Sequence, residues 1–169
     1  MFLLDANILI NAARDYYALD QVPEFWTWLI YKAECNEVKI PSEIIAEVLV
    51  GNKRATEDQL LTWLDDSVRR NILTLAEEVD PKQFQKVMGQ GYGEDLTEIE
   101  CGAMGRDPFL IAYAMVHCKD RCVVTAENRA PKRKRHQRKV PDVCDTLGVR
   151  HCTVFQMTRE LGFKTGWKV

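Results

Sequence analysis

The sequence predicts a three-layer α/β/α sandwich around a mostly parallel central sheet, built as one domain over residues 1–169. Three observations carry this fold class. The runs Phe2-Leu3-Leu4, Val38-Lys39-Ile40 and Arg121–Thr125 are short and mostly continuous in apolar character, which suits strands buried on both faces. Segments with helical spacing separate them, so strand and helix take turns along the chain. The 169 residues suit one hydrophobic core, and neither an internal repeat nor a linker divides them.

The first strand is Phe2-Leu3-Leu4. Residues Val22–Glu34 follow as a helix, because Phe25, Trp28, Leu29 and Lys32 recur at helical spacing and Pro23 suits a helix start. Val38-Lys39-Ile40 forms a second strand, which Pro41 stops. "PSEIIAEVLVG" reads as a helix that Ser42 caps and Gly51 ends. Thr56–Arg70 is amphipathic, with Leu60, Leu61, Trp63 and Leu64 turned inward. "NILTL" is a strand candidate, Pro81–Met88 a helix, and "GQGYGEDLTE" a loop leading to a helix over Leu96–Met104. "DPFLIAYAMVHC", Asp107–Cys118, is a buried helix, and "RCVVT" is the clearest strand. A basic loop, a short helix over Pro141–Leu147, a last strand "RHCTVF" and a terminal helix complete the chain.

Composition excludes several classes. Hydrophobic content of 46% with 28% charge belongs to a globular chain rather than a disordered one. No apolar run approaches the ~20 residues of a membrane span, and the N-terminus lacks the marks of a signal peptide. A cytoplasmic protein with no membrane partner is expected. The six cysteines form no C-x-x-C pair, so buried, reduced thiols are expected instead of zinc ligands or disulfides. Net charge is −2, yet Arg129–Lys139 holds seven Lys or Arg and no acid. A basic strip on an otherwise acidic body suits either a polyanion contact or a solvated loop.

The acids give the most specific signal. Open parallel sheets bind ligands beyond the carboxyl ends of their strands. Asp5 ends the first strand, and Glu127 follows "VVT" two residues on. Glu47 lies in the helix after the second strand, and Asp107 opens the helix before "RCVVT". If the first strand and "RCVVT" are neighbours, Asp5 and Glu127 share one crevice. Crowded carboxylates repel each other unless a cation joins them. Mg²⁺ or Mn²⁺, which prefer oxygen ligands, keep waters and bridge to phosphates, are the expected cofactors. Each acid also has a plainer reading. Asp5 or Asn7 suits a cap of the first helix, and Asp107 before Pro108 looks like an N-cap. Glu47 suits an exposed helix position, and Glu43, one turn earlier, shares its face. Asp142 is a cap of the short helix after Pro141 or a further metal ligand. Glu127 suits a loop acid paired with the basic run, and Thr125 and Asn7 suit turns or caps.

Four words, "LLDANILI", "IPSEIIAEVLVG", "DPFLIAYA" and "VVTAEN", stand in the order of the marks of the PIN-domain ribonucleases, which this chain resembles from Met1 to about Phe155. The later word "KVPDVCDTLGV" is similar to a PIN-like branch of uncharacterised function grouped with toxins of type II toxin–antitoxin pairs. The resemblance implies catalytic and metal-binding roles for Asp5, Glu47, Asp107 and Glu127, with Asn7 and Thr125 in support. It also implies metal-dependent cleavage of RNA, a homodimer, and an antitoxin as protein partner. The last acid of the family pattern is usually Asp, where this chain has Glu127.

The expected function is therefore a Mg²⁺- or Mn²⁺-dependent endoribonuclease. Arg129, Lys132, Arg133, Lys134, Arg135, Arg138 and Lys139 would contact phosphates, which position RNA without reading bases. The alternative is a PIN-like module that binds RNA or protein without turnover. A haloacid-dehalogenase-type phosphohydrolase fits less well, since it needs a proton-transferring acid two residues after Asp5, where Asn7 stands.

Overall fold

The structure is a computed structural model that describes residues 1–51 and 59–168. β1 (Phe2–Leu4) passes directly into α1 (Ala6–Asn11), which runs on through a wide π turn to Tyr16. α2 (Pro23–Glu34), β2 (Val38–Lys39) and α3 (Ser42–Gly51) follow. Next come α4 (Gln59–Asp65), α5 (Ser67–Leu73), α6 (Pro81–Lys86), α7 (Glu98–Ala103) and α8 (Asp107–Val116). β3 (Cys122–Val124), α9 (Val140–Leu147), β4 (Arg150–Cys152) and α10 (Val154–Glu160) end the sequence of elements.

The four strands form one all-parallel sheet in the order β2-β1-β3-β4. Leu4 pairs with Val124, and Val124 with Cys152. Leu3, Leu4, Val123 and Val124 have no exposed surface, as the continuous apolar runs required of a sheet covered on both faces. α8 packs over β1 and β3 and beside α9, which lies on β4, while α2 packs on β2 and against α5. The result is the expected α/β/α sandwich with a parallel centre. Among the described residues no helix is long and apolar enough to cross a membrane.

Four local readings need correction. The amphipathic stretch Thr56–Arg70, whose first three residues lie outside the described ones, is two helices. Asp66 breaks it by accepting from the N–H groups of Val68 and Arg69, which caps α5. "NILTL" is mostly the end of α5, and only Thr74 bridges to Ile40. The glycines of "GQGYG" mark no loop at their start: α6 continues through a π-helical segment, Val87–Tyr92. A Cβ on Gly91 would lie 2.8 Å from Val143 Cγ1, so this glycine permits close helix packing, and the chain turns only at Gly93 (φ +130°). In "RHCTVF" the strand stops at Cys152, because Thr153 and Gln156 form a capping box that starts α10. The cysteines are all free thiols as expected, but Cys35, Cys101 and Cys118 are exposed.

Candidate functional site

Strand order places the site. The chain leaves β1 for β2 on one side, and β3 lies on the other, so the topological switch falls between β1 and β3. Asp5 follows β1 and Thr125 follows β3, side by side at that point. Asp5 is only 4% exposed. It precedes α1, but its side chain makes no cap hydrogen bond. Its Oδ2 instead accepts from Thr125 Oγ1 at 2.6 Å and Asn7 Nδ2 at 2.5 Å. The Asn7 Oδ1 accepts from Ala126 N–H at 2.9 Å, which ties the start of α1 to the chain leaving β3. Asn7 and Thr125 thus act on Asp5 rather than on turns of their own. Burial pushes the Asp5 carboxyl up from 3.8 to about 6; Thr125 and Asn7 pull it down, while Glu127 and Glu47 push it further.

Asp107 stands at the first position of α8, after Arg106, and caps nothing. Its carboxylate accepts no hydrogen bond among the described residues. Burial, then the charges of Asp5, Glu127 and Glu47, push it from 3.8 to about 8, against the pull of Lys139. Glu47 and Glu127 therefore act electrostatically on both Asp5 and Asp107, and Asp5 acts on Asp107. Glu47 is exposed and reaches toward the loop before α8: its Oε1 lies 3.3 Å from where a Cβ on Gly105 (φ +59°) would sit. Glu43 points elsewhere, accepting from Tyr113 Oη at 3.2 Å. Helix spacing left the two glutamates equivalent; the packing of Tyr113 separates them.

Glu127 has a second task. One of its oxygens accepts from Lys139 Nζ and the other from Val140 N–H at 2.9 Å, so it closes the basic loop onto the start of α9. Asp142 lies in the first turn of α9, and its Oδ2 accepts from Ala130 N–H at 2.7 Å. Asp142 is not among the groups that act on Asp5 or Asp107.

Most of the basic run is also engaged internally. Arg129 pairs with Asp145 at 2.8 Å and Arg135 with Glu100 at 2.7 Å. Arg138 donates to the carbonyls of Gly91 and Asp142, and Lys139 holds Glu127. Lys132, Arg133 and Lys134 are exposed, with no side-chain partner among the described residues. The pairing of Glu127 with the basic run was readable in the sequence, whereas the pairing of Arg129 with Asp145 and of Arg135 with Glu100 leaves no local signal.

Two residues were missed. Arg106 is exposed and lines a cleft of about 460 Å³ with Glu47, Gly102 and Gly105; its guanidinium lies 5.7 Å from the centre of the Phe109 ring. It stands next to Asp107 in sequence, which was the available clue. Tyr92, at the end of the π-helical segment, is 3% exposed, and its hydroxyl has no hydrogen-bond partner among the described residues. A second cleft, of about 440 Å³, is lined by Thr125, Glu127, Arg129, His151 and Gln156. One cleft thus contains Glu47 and the other Glu127.

Among the described residues no group of three or more His, Cys, Asp or Glu is arranged to hold a metal ion. Asp5 and Asp107 offer carboxylate oxygens, the donor type that hard divalent cations prefer. Mg²⁺ commonly takes only one or two carboxylates and keeps its remaining positions for water and phosphate. Glu47 stands nearby, and Glu127 is held by Lys139.

Fold and site define an α/β protein with a cluster of acids at the switch point of a parallel sheet. The chain belongs to the DUF4411 family, described as a domain of unknown function, whose match spans residues 2–165. No curated protein and no solved structure matches it.

Proposed function

We propose that this protein is a metal-dependent endoribonuclease of the PIN type that cleaves RNA phosphodiester bonds, acting as the toxin of a type II toxin–antitoxin pair. The observation that carries the reading is the convergence of Asp5 and Asp107, with Glu47 and Glu127 close enough to act on both. Two carboxyls raised by burial and by neighbouring acids suit a cation, because a cation would offset the unfavourable charge that raises them.

Asp5 and Asp107 would hold Mg²⁺ or Mn²⁺, with Glu47 linked through water. The ion's chemistry is to neutralise charge developing on the phosphodiester and to assist the attack of water. Asn7 and Thr125 fix the orientation of Asp5 through its Oδ2. Burial and the neighbouring acids favour the protonated form of Asp107, and a bound cation would favour its carboxylate. Lys139 balances the charge of Glu127, and Arg106 with Lys132, Arg133 and Lys134 is available to phosphates. An antitoxin that covers the acids and a homodimer are part of the same reading.

A second reading, a binding module without turnover, draws on the engagement of Glu127 by Lys139 and Val140. A labelled single-stranded RNA separates the two. The nuclease cuts it with Mg²⁺ or Mn²⁺, stops in chelator, and loses at least about a hundredfold in rate in Asp5→Asn, as typical for a lost catalytic acid–base or metal group. A binder retains the RNA intact under every condition. Asp5→Asn cutting at the wild-type rate, in a preparation free of other nucleases, contradicts the assignment.

A further inference from the structure

A pocket of about 360 Å³, a size that suits a small ligand, lies over α2. It shares no lining residue with either cleft beside the acids. Thr27, Ile30, Tyr31 and Glu34, spaced to share one face of α2, line one side. The other walls are aromatic. Trp63 of α4 meets Trp26 edge-on, with 4.8 Å between ring centres, and Trp167 of the C-terminal segment meets Tyr31 at 5.0 Å. The Trp26 indole N–H donates to the Tyr17 carbonyl at 2.6 Å, and that of Trp167 to the Glu24 carbonyl at 3.1 Å. These rings are therefore fixed, with their polar atoms satisfied. Yet Tyr31 remains 45% exposed, and Trp63 and Trp167 are half-buried.

Two cations stand against the same rings. The Arg69 guanidinium lies 4.9 Å from the centre of the Trp63 ring, and its Nη1 donates to the Trp63 carbonyl at 2.5 Å. Arg69 also pairs with Asp66 at 3.6 Å. Lys168 Nζ lies 5.3 Å from the Trp167 ring; it is exposed and makes no ion pair or hydrogen bond among the described residues. Glu34 is the one acid among the lining residues described. Aromatic cages hold cationic ligands, but Arg69 and Lys168 would repel one here. An anion without a ring would leave the aromatic faces unused. The two features together fit a molecule that carries both a flat ring and a phosphate.

From this we propose that the pocket binds a purine mononucleotide, with its base on the rings of Tyr31, Trp63 and Trp167 and its phosphate on Lys168 and Arg69. Aromatic side chains stack on the π-face that every base has, and a purine offers the larger face. The amino group of guanine is a donor, for which Glu34 supplies the acceptor. The rings stand in place before the ligand arrives, so little ordering is needed on binding. This site needs neither the acids nor a divalent cation.

The test measures GMP binding to the full chain by calorimetry in chelator, so that no cation bridges the nucleotide to the acids. GMP should bind saturably, and guanosine about tenfold more weakly for want of its charge-assisted phosphate contacts. Tyr31→Ala and Lys168→Gln, both at exposed positions, should each bind GMP about tenfold more weakly, while thermal melting shows that both remain folded. Wild-type affinity in the two variants places the nucleotide elsewhere and overturns the inference. Equal binding of guanosine and GMP overturns it as well, as does no binding of GMP at millimolar concentration. Self-association that Tyr31→Ala abolishes, measured by sedimentation without nucleotide, assigns the face to a second copy of the chain instead. None of these outcomes bears on the cutting of RNA, so the nuclease reading stands or falls separately.

Discussion

In the proposed site Asp5 and Asp107 are the candidate ligands because the local structure frees them from the tasks their positions suggest. Each stands at the start of a helix, where a carboxylate commonly caps, and neither does. The burial that frees them also raises them, to about 6 and about 8. A carboxyl raised above its unfolded value of 3.8 holds its proton longer in the folded state. Stability of the metal-free protein therefore contains a contribution that is largest below pH about 4 and declines through pH about 8, above which Asp107 is ionised in both states. Melting in chelator across that window should show Asp107→Asn losing less stability with rising pH than the wild type. Parallel pH profiles for the two would contradict the raised value. The same proton makes cation affinity pH-dependent. Mn²⁺ binding should tighten as pH rises toward about 8 and release a proton, which calorimetry in buffers of different ionisation enthalpy measures directly. Glu47→Gln should weaken that binding, whereas Glu43→Gln, which contacts Tyr113, should leave it unchanged.

At the scale of elements, the sequence was most legible where one residue type has one common use. Pro23, Pro81 and Pro108 each sit in the first turn of a helix, and the buried strands follow their apolar runs. It was least legible where a residue type has two uses. Asp66 lies inside the amphipathic stretch read as one helix, yet its side chain caps a new helix. Asp66→Ala should destabilise the protein by about 1 kcal/mol, read from denaturant unfolding, because two N–H groups of α5 lose their acceptor. Glycine misled in the same way, since at Gly91 it serves close packing. Glu127 gains a physical reason for not being aspartate: the side chain spans from the end of β3 to the first N–H of α9 and to Lys139. Glu127→Asp should fail to span it and lower the melting temperature, and an unchanged melting temperature would count against this clasp.

Across the whole molecule, the strand order β2-β1-β3-β4 turns separate sequence words into one site. The acids were readable one by one, but their convergence depended on β1 and β3 being neighbours, a long-range pairing that composition does not encode. The basic run was equally readable, whereas its use was not. Arg129, Arg135 and Lys139 find carboxylates 16, 35 and 12 residues away in the chain. Tyr92 gave no signal, because an unsatisfied hydroxyl exists only once the core is packed around it. A crystal soaked in Mn²⁺ and measured by anomalous scattering tests the central claim most directly. The account predicts a peak between the carboxylates of Asp5 and Asp107 that vanishes in Asp5→Asn; saturating Mn²⁺ with no peak at that position, in protein that still cuts RNA, would contradict it.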